Sequence, residues 1–289
     1  ERIKQPAYAT DSTRGTTPIY QTIDNLNSAK SAYGNIVYNK APAFLKQAEF
    51  YLGPDKFQTA VRKFLKGHEF ANAGWEDLVK EFEAASKRNL KDWANSWVKG
   101  PGMSKFRIER NWSEDDSGTY YFFPLFESTL KGSGTPLESF IVKIRAMNGQ
   151  EFSQKLSVPI PTKIDPKNLI EGRIHADYVF PNYQDHGYGI FLLDEKSCDY
   201  VLKNIGSEKD AFLRSMMYGA LWDSVREGEL DPRTYVDVAI KNLPTEQDET
   251  IAQMMTSRTA TALNYYVGTE GGNLSGSEGV QRDAPLNSN

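Results

Sequence analysis

The apolar side chains of this chain change their spacing twice, so it is read as three successive blocks rather than one uniform architecture. Up to about Lys99 the apolar residues recur at helical intervals. Phe44, Leu45, Ala48, Tyr51 and Leu52 share one helical face, Gly53-Pro54 stops that helix, and Phe57, Val61, Phe64 and Leu65 begin the next. Trp75, Leu78, Val79 and Phe82 mark a third helix. Asn89 is placed to cap a fourth, carrying Leu90, Trp93, Ala94, Trp97 and Val98, which Lys99-Gly100-Pro101-Gly102 ends.

From about Lys105 to Phe180 the period falls to two. Phe106, Ile108 and Trp112 alternate with charged residues, and TYYFFPLF, ESFIVKIRAM and EFSQKLSVPI read as strands separated by the turns DDSG, KGSGTP and MNGQ. Short strands at this spacing predict a small antiparallel sandwich. Helical spacing returns from about Lys196 in CDYVLKNI, AFLRSMMYGALWDSVREG, PRTYVDVAIKNL and ETIAQMMTSRTATALNYYV. The last stretch, rich in Gly, Ser and Asn, is expected to be a loose tail. The expected division is 1–101, 102–181 and 182–267, with a polar tail over 268–289.

With 39% hydrophobic and 12% aromatic residues in 289, the composition is that of a globular protein able to fill its cores. No window approaches the length of apolar sequence that a membrane span needs, and the first residues lack the apolar core of a signal peptide. A soluble chain is expected. The net charge of -4 gives no electrostatic reason to bind nucleic acid or an anionic membrane. Cys198, alone, forms no internal disulfide and reads as a small buried side chain.

His68-Glu69-Phe70-Ala71-Asn72 begins like a zinc-binding H-E-x-x-H helix, but Asn72 stands where the second histidine belongs. Zinc is rejected there, and a helix end is expected, with Phe70 packed inward and Asn72 capping the next helix. His175 and His186, with Asp177 and Asp185, are read as a polar junction between strands and helices, a weak metal or acid–base cluster being the other reading. Pairs such as Glu76-Asp77, Glu114-Asp115 and Asp194-Glu195 are read as helix starts and turns. Nucleotide-binding loops and the G-x-S-x-G elbow are absent. The string from Tyr33 to Pro42 is, taken alone, a loop entering a helix, with Tyr38 a structural aromatic.

Taken in order, I-V-Y-N-K-A-P-A-F-L, F-x-x-A-V-R-K-F-L, H-x-F-x-N-A-x-W-x-D-L and D-W-x-x-x-W-V carry more than any one of them. With Thr16–Tyr20 (TTPIY) before them and LWDSVREGEL at 221–230 after, the chain resembles the aminopeptidase N-like (gluzincin) zinc metallopeptidases from about Thr16 to Val267. The resemblance implies a multidomain α+β fold: the helical end of a thermolysin-like catalytic domain, a small antiparallel β-sandwich, and a C-terminal α-helical domain. It departs from the family at Ala41, where glycine is usual, with Pro42 behind it; a small residue and a first-turn proline suit a helix start.

The resemblance implies that Tyr38 stabilises the tetrahedral oxyanion and that Tyr33 lines the same site as a substrate contact. Lys40 is assigned to structural pairing. No zinc-binding motif is present, so the chain is read as a C-terminal portion whose zinc ligands and general base lie upstream, inactive and metal-free by itself. Its implied partners are a peptide substrate and the missing N-terminal part of the catalytic domain. The face of the Phe44–Leu52 helix, lacking that part, is expected to stand open and favour self-association. The alternative is a noncatalytic peptide-binding or architectural module.

Overall fold

The computed structural model describes residues 4–111, 120–128, 138–146, 149–158, 170–172 and 176–267. Ile108 contributes only its backbone to that description, while Trp112, Glu114-Asp115, His175, the turns DDSG and KGSGTP and the tail 268–289 lie outside it. The N-terminal part is helical: α1 (Gln5–Asp11), α2 (Leu26–Ala32), a π-turn (Ile36–Lys40), α3 (Ala41–Leu52), α4 (Pro54–Gly67), α5 (Trp75–Ser86) and α6 (Lys91–Lys99). Prolines 6, 42 and 54 occupy first turns, where the missing N–H has no partner to lose. Gly53 takes φ 88° between α3 and α4, a conformation that suits glycine and lets two helices follow without a loop. The expected cap at Asn89 falls one residue early: α6 starts from Leu90, which makes no side-chain cap, while Asn89 Oδ1 accepts from the Lys91 N–H at 3.1 Å.

Two other expectations for this part fail. Phe70 is fully exposed at φ 61°, and α5 starts from Gly74, whose N–H donates to Asp77, rather than from a cap at Asn72. The 68–74 connection is a surface turn, and alternation of residue types there carries no burial signal. The apolar face of α3 is also not open: Phe44 stacks on Trp93 at 4.9 Å and lies 6.1 Å from Trp97. Exposed apolar residues occur instead at Tyr20, Ile23 and Leu26, and no residue of α2 is buried.

Among the described residues seven strands follow: β1 (Ser104–Asn111), β2 (Tyr120–Ser128), β3 (Glu138–Ala146), β4 (Glu151–Val158), β5 (Ile170–Gly172), β6 (Ala176–Tyr183) and β7 (Gly189–Leu192). They form two sheets, in the orders β5-β2-β1-β7 and β4-β3-β6. Phe106 of β1, Phe191 of β7 and Phe140 of β3 meet at 4.6 to 5.5 Å, joining the sheets by ring contacts. An antiparallel sandwich ending at 181 was expected, yet β6 runs to Tyr183, and β7, in the part read as helical, joins the sheet by running parallel to β1. The turn after β6 carries the chain from one sheet to the edge of the other, and alternation specifies faces, not direction. Gly189 permits this approach, since a Cβ there would stand 2.5 Å from the Ser104 carbonyl oxygen.

The remaining helices are α7 (Glu195–Asn204), α8 (Ala211–Arg226), α9 (Pro232–Asn242) and α10 (Glu249–Thr261), the last running into a second π-turn. Each starts at an aspartate (Asp194, Asp210, Asp231 and Asp248) whose carboxylate accepts from first-turn N–H groups. α8 is buried without interruption from Met216 to Val225, the behaviour of a central helix. Cys198 on α7 is half-buried, and burial pushes its thiol up to about 11.

The helical parts are tied to the strands by the turn after β6. Asn182, Gln184 and Asp185 all adopt positive φ (55°, 67° and 57°), a conformation that asparagine and aspartate tolerate best. The buried Lys4 ammonium holds this turn, donating to the Asp185 carboxylate at 2.9 Å and to the carbonyls of Asp185 and Gly187 at 2.8 and 2.6 Å. His186, in the same turn, stacks on Phe50 of α3 at 3.9 Å, and Lys155 of β4 covers that ring. Its place is that of a polar junction.

Burial and the nearby charges of Lys46 and Lys4 hold the His186 imidazole down at about 4, against an ordinary 6.5. Between those values the unfolded chain binds a proton that the folded chain refuses, so stability falls as pH drops through the window. His186→Phe keeps the stack and removes the titration. Denaturant midpoints measured from neutral pH down through this window should fall more steeply for the wild type than for the variant. Superimposable pH dependences would show that His186 is not held neutral by the fold.

Candidate functional site

The π-turn Ile36–Lys40 is wider than an α-helical turn, with the Ala41 N–H reaching back to the Ile36 carbonyl. Within it, Ile36 and Lys40 are buried while Tyr38 is 60% exposed. The anchor of this turn is Lys40. Its ammonium lies 3.1 Å from Asp11 Oδ2, donates to the carbonyls of Gly100 (3.3 Å) and Gly102, and stands 5.4 Å from the centroid of the Tyr188 ring. The side chains of Lys40 and Asp11 are 3% and 0% exposed.

Asp11 is the hub of this cluster. Besides Lys40 it accepts from the Tyr188 hydroxyl at 2.8 Å, from the Gly102 N–H at 3.2 Å and from the Thr16 hydroxyl. A buried carboxylate is tolerated when its lone pairs are filled in this way. The cluster joins α1, the π-turn, the end of α6 and the segment entering β7. The Thr16–Tyr20 stretch crosses the same region, with the Tyr20 N–H donating to the Val98 carbonyl at 2.9 Å.

With Lys40 pinned inward, Tyr38 is carried on the outer side of the turn, at the start of α3. There it meets Tyr33: the rings lie 6.0 Å apart, nearly parallel at 19°, and Tyr33 is 65% exposed. The structure therefore brings together the two tyrosines singled out in the sequence. It does not bring His68 or His186 to them. His68 Nδ1 is paired with the Phe64 carbonyl at 2.9 Å, and His186 sits on Phe50. Among the described residues no three His, Cys, Asp or Glu side chains converge as a metal site.

Asp11, Tyr188 and Lys4 escaped the sequence reading, which took Asp185 only as part of a polar junction. The contacts they make join segments distant in the chain, and no local spacing marks such pairs. The one available signal was an aspartate and a lysine inside short polar stretches otherwise flanked by buried aromatics.

The mixed fold, helices flanking a small two-sheet part, and the tyrosine pair over a buried anchor define the class within which relatives can be sought. Residues 2–97 match the family model "Peptidase family M1 domain". The chain is 24% identical over 274 residues to aminopeptidase N of Streptomyces lividans, covering 92% of this chain and 32% of that protein. It is 21% identical over 256 residues to tricorn protease-interacting factor F2 of Thermoplasma volcanium, covering 87% and 30%. Glutamyl aminopeptidase of Sus scrofa matches at 29% over 104 residues, 36% of this chain and 11% of that enzyme. The chain thus spans a third or less of the length of these relatives. It is similar to the M1 metallopeptidases over 2–97, and to aminopeptidase N over most of its length.

Removing the Lys40 charge leaves Asp11 buried and unpaired, and Lys40→Met should cost about 3–5 kcal/mol of unfolding free energy. Asp11→Asn combined with Lys40→Met should recover part of that loss. Urea denaturation of the three forms checks this, and a Lys40→Met loss below about 1 kcal/mol would mean that the pair contributes as little as a surface one.

Proposed function

We propose that this chain is the C-terminal part of a zinc aminopeptidase, and that Tyr38 donates its phenolic hydrogen to the oxyanion formed when a peptide bond is attacked. The observation that carries this reading is the exposed Tyr33–Tyr38 stack on a turn locked by the buried Lys40–Asp11 pair, inside the segment that matches the M1 domain. Attack on the scissile carbonyl places negative charge on its oxygen, and a donor already aimed at that position stabilises the transition state more than the ground state. A phenol suits this task, being neutral at ordinary pH and carrying one donor. The locked turn means that little reorganisation is required when the charge appears. Tyr33, parallel to Tyr38, supplies a flat surface against which the substrate rests.

On this reading 1–101 is the helical end of a thermolysin-like catalytic domain, 102–192 a β-sandwich domain that includes β7, 193–267 an α-helical domain and 268–289 a polar tail. The zinc that the family uses finds no donor set among the described residues. Its ligands and the general base belong, on this reading, to a part of the enzyme outside this sequence. The exposed Tyr20, Ile23 and Leu26 are then the surface on which that part packs, as exposed apolar groups commonly signal an interface.

In the full-length enzyme Tyr38→Phe removes one donor and little else. It should lower kcat about 10²–10³-fold and leave KM within a few-fold. Tyr51→Phe on α3, whose ring packs 5.8 Å from Trp93, is the control and should leave turnover nearly unchanged. Equal, small effects from both would reduce Tyr38 to a packed aromatic. The chain by itself should hold no stoichiometric zinc after dialysis and hydrolyse no aminoacyl substrate; one tightly held zinc per chain with measurable turnover would overturn the reading.

A further inference from the structure

A cavity of about 490 Å³ lies between α5 and α6, within the usual size range of a ligand pocket. α5 supplies Trp75, Glu76 and Val79, and α6 supplies Lys91, Asn95 and Lys99 from successive turns. The Lys99 ammonium stands 5.3 Å from the centroid of the Trp75 ring, while the Leu90 N–H donates to Glu83 at 2.8 Å. The two helices therefore run back along each other, and the start of α5 faces the end of α6.

At that end two opposite charges line the cavity without pairing. Lys99 is steadied by aromatic faces, Trp75 at 5.3 Å and Tyr20 at 6.0 Å, and no carboxylate among the described residues comes within ion-pair distance of it. An ammonium set over a ring keeps donor N–H groups for a partner on its other side. Glu76, on the facing helix, likewise has no cationic partner among the described residues, and the nearby Lys80 is taken by Asp77 at 3.0 Å. Val79 is buried and, with Trp75, gives the cavity an apolar floor.

We propose that this cavity binds a free α-amino acid, its carboxylate on Lys99, its ammonium on Glu76 and an apolar side chain along Trp75 and Val79. An occupant with a single charge would be attracted by one of these groups and repelled by the other. An α-amino acid carries both charges on one carbon, so it meets a lysine and a glutamate at the same end of a groove. A peptide holds its two termini apart by the length of its backbone. The Asn95 amide adds one donor and one acceptor beside the pair. Tyr33 and Tyr38 do not line this cavity, and the proposal does not rest on the catalytic reading.

The test is binding of L-phenylalanine to the whole chain by calorimetry at low ionic strength, where such ion pairs are least screened. One equivalent should bind saturably. 3-Phenylpropanoate, which lacks the amine, and 2-phenylethylamine, which lacks the carboxylate, should each bind at least tenfold more weakly. Lys99→Met keeps the apolar stem over Trp75 and removes the charge, and Glu76→Gln keeps the shape of the acid. Both positions are exposed, so each variant should stay folded by circular dichroism while losing at least tenfold in affinity. Tyr38→Phe should bind as the wild type does. No saturable binding, an analogue that matches L-phenylalanine, or affinity untouched by both charge-removing substitutions would overturn the proposal. So would loss of binding in Tyr38→Phe, which would put the amino acid on the tyrosine pair instead.

Discussion

The buried pairing of Asp11 with Lys40 is the constraint on which the rest of the N-terminal part depends. A carboxylate and an ammonium taken out of water are costly unless their remaining bonds are filled, and here the backbone of Gly102, the Tyr188 phenol and the Thr16 hydroxyl fill them. Because these partners come from four separate segments, the cluster closes only when α1, the π-turn, the end of α6 and the entry to β7 are all in place. It acts as a geometric lock more than as a source of net stability. Its consequence lies two residues away, where Tyr38 is turned outward beside Tyr33.

A second polar anchor repeats the arrangement. Lys4 holds the strained turn of Asn182 to Gly187, and Gln47 of α3 donates to the His186 carbonyl at 2.9 Å. Both anchors join the helices at the start of the chain to the β6–β7 connection. Apolar packing crosses the same boundary: Tyr188, Ile190 and Leu192 belong to the core of the first helices, while Tyr178 and Phe180 belong to that of the last. One short stretch of strands thus serves two cores. The polar anchors supply the register between them, because apolar contacts are non-directional and buried hydrogen bonds are not.

The π-turn fits the same logic. An ordinary helical turn at 36–40 would rotate Tyr38 and Lys40 relative to each other, and both placements matter if the outer tyrosine faces a substrate. The wider turn lets a buried lysine and an exposed tyrosine share five residues. Such widened turns recur where a side chain must be aimed, which agrees with the role proposed for Tyr38.

Local patterns determined much of this protein by themselves. Helical spacing in Phe44–Leu52 and Trp93–Val98, Asp194 at the start of α7, and alternation around Phe106 and Phe140 each reflect contacts within a few residues, so they were legible in the sequence. The motif order that includes Tyr38 was legible for the same reason. Tertiary structure alone decided the partners of Asp11 and Lys4, the parallel β1–β7 pairing, the exposure of Phe70 and the covering of α3 by Trp93 and Trp97. Each of these depends on which distant segment arrives beside a residue. Side-chain periodicity records which face is buried, but not what buries it.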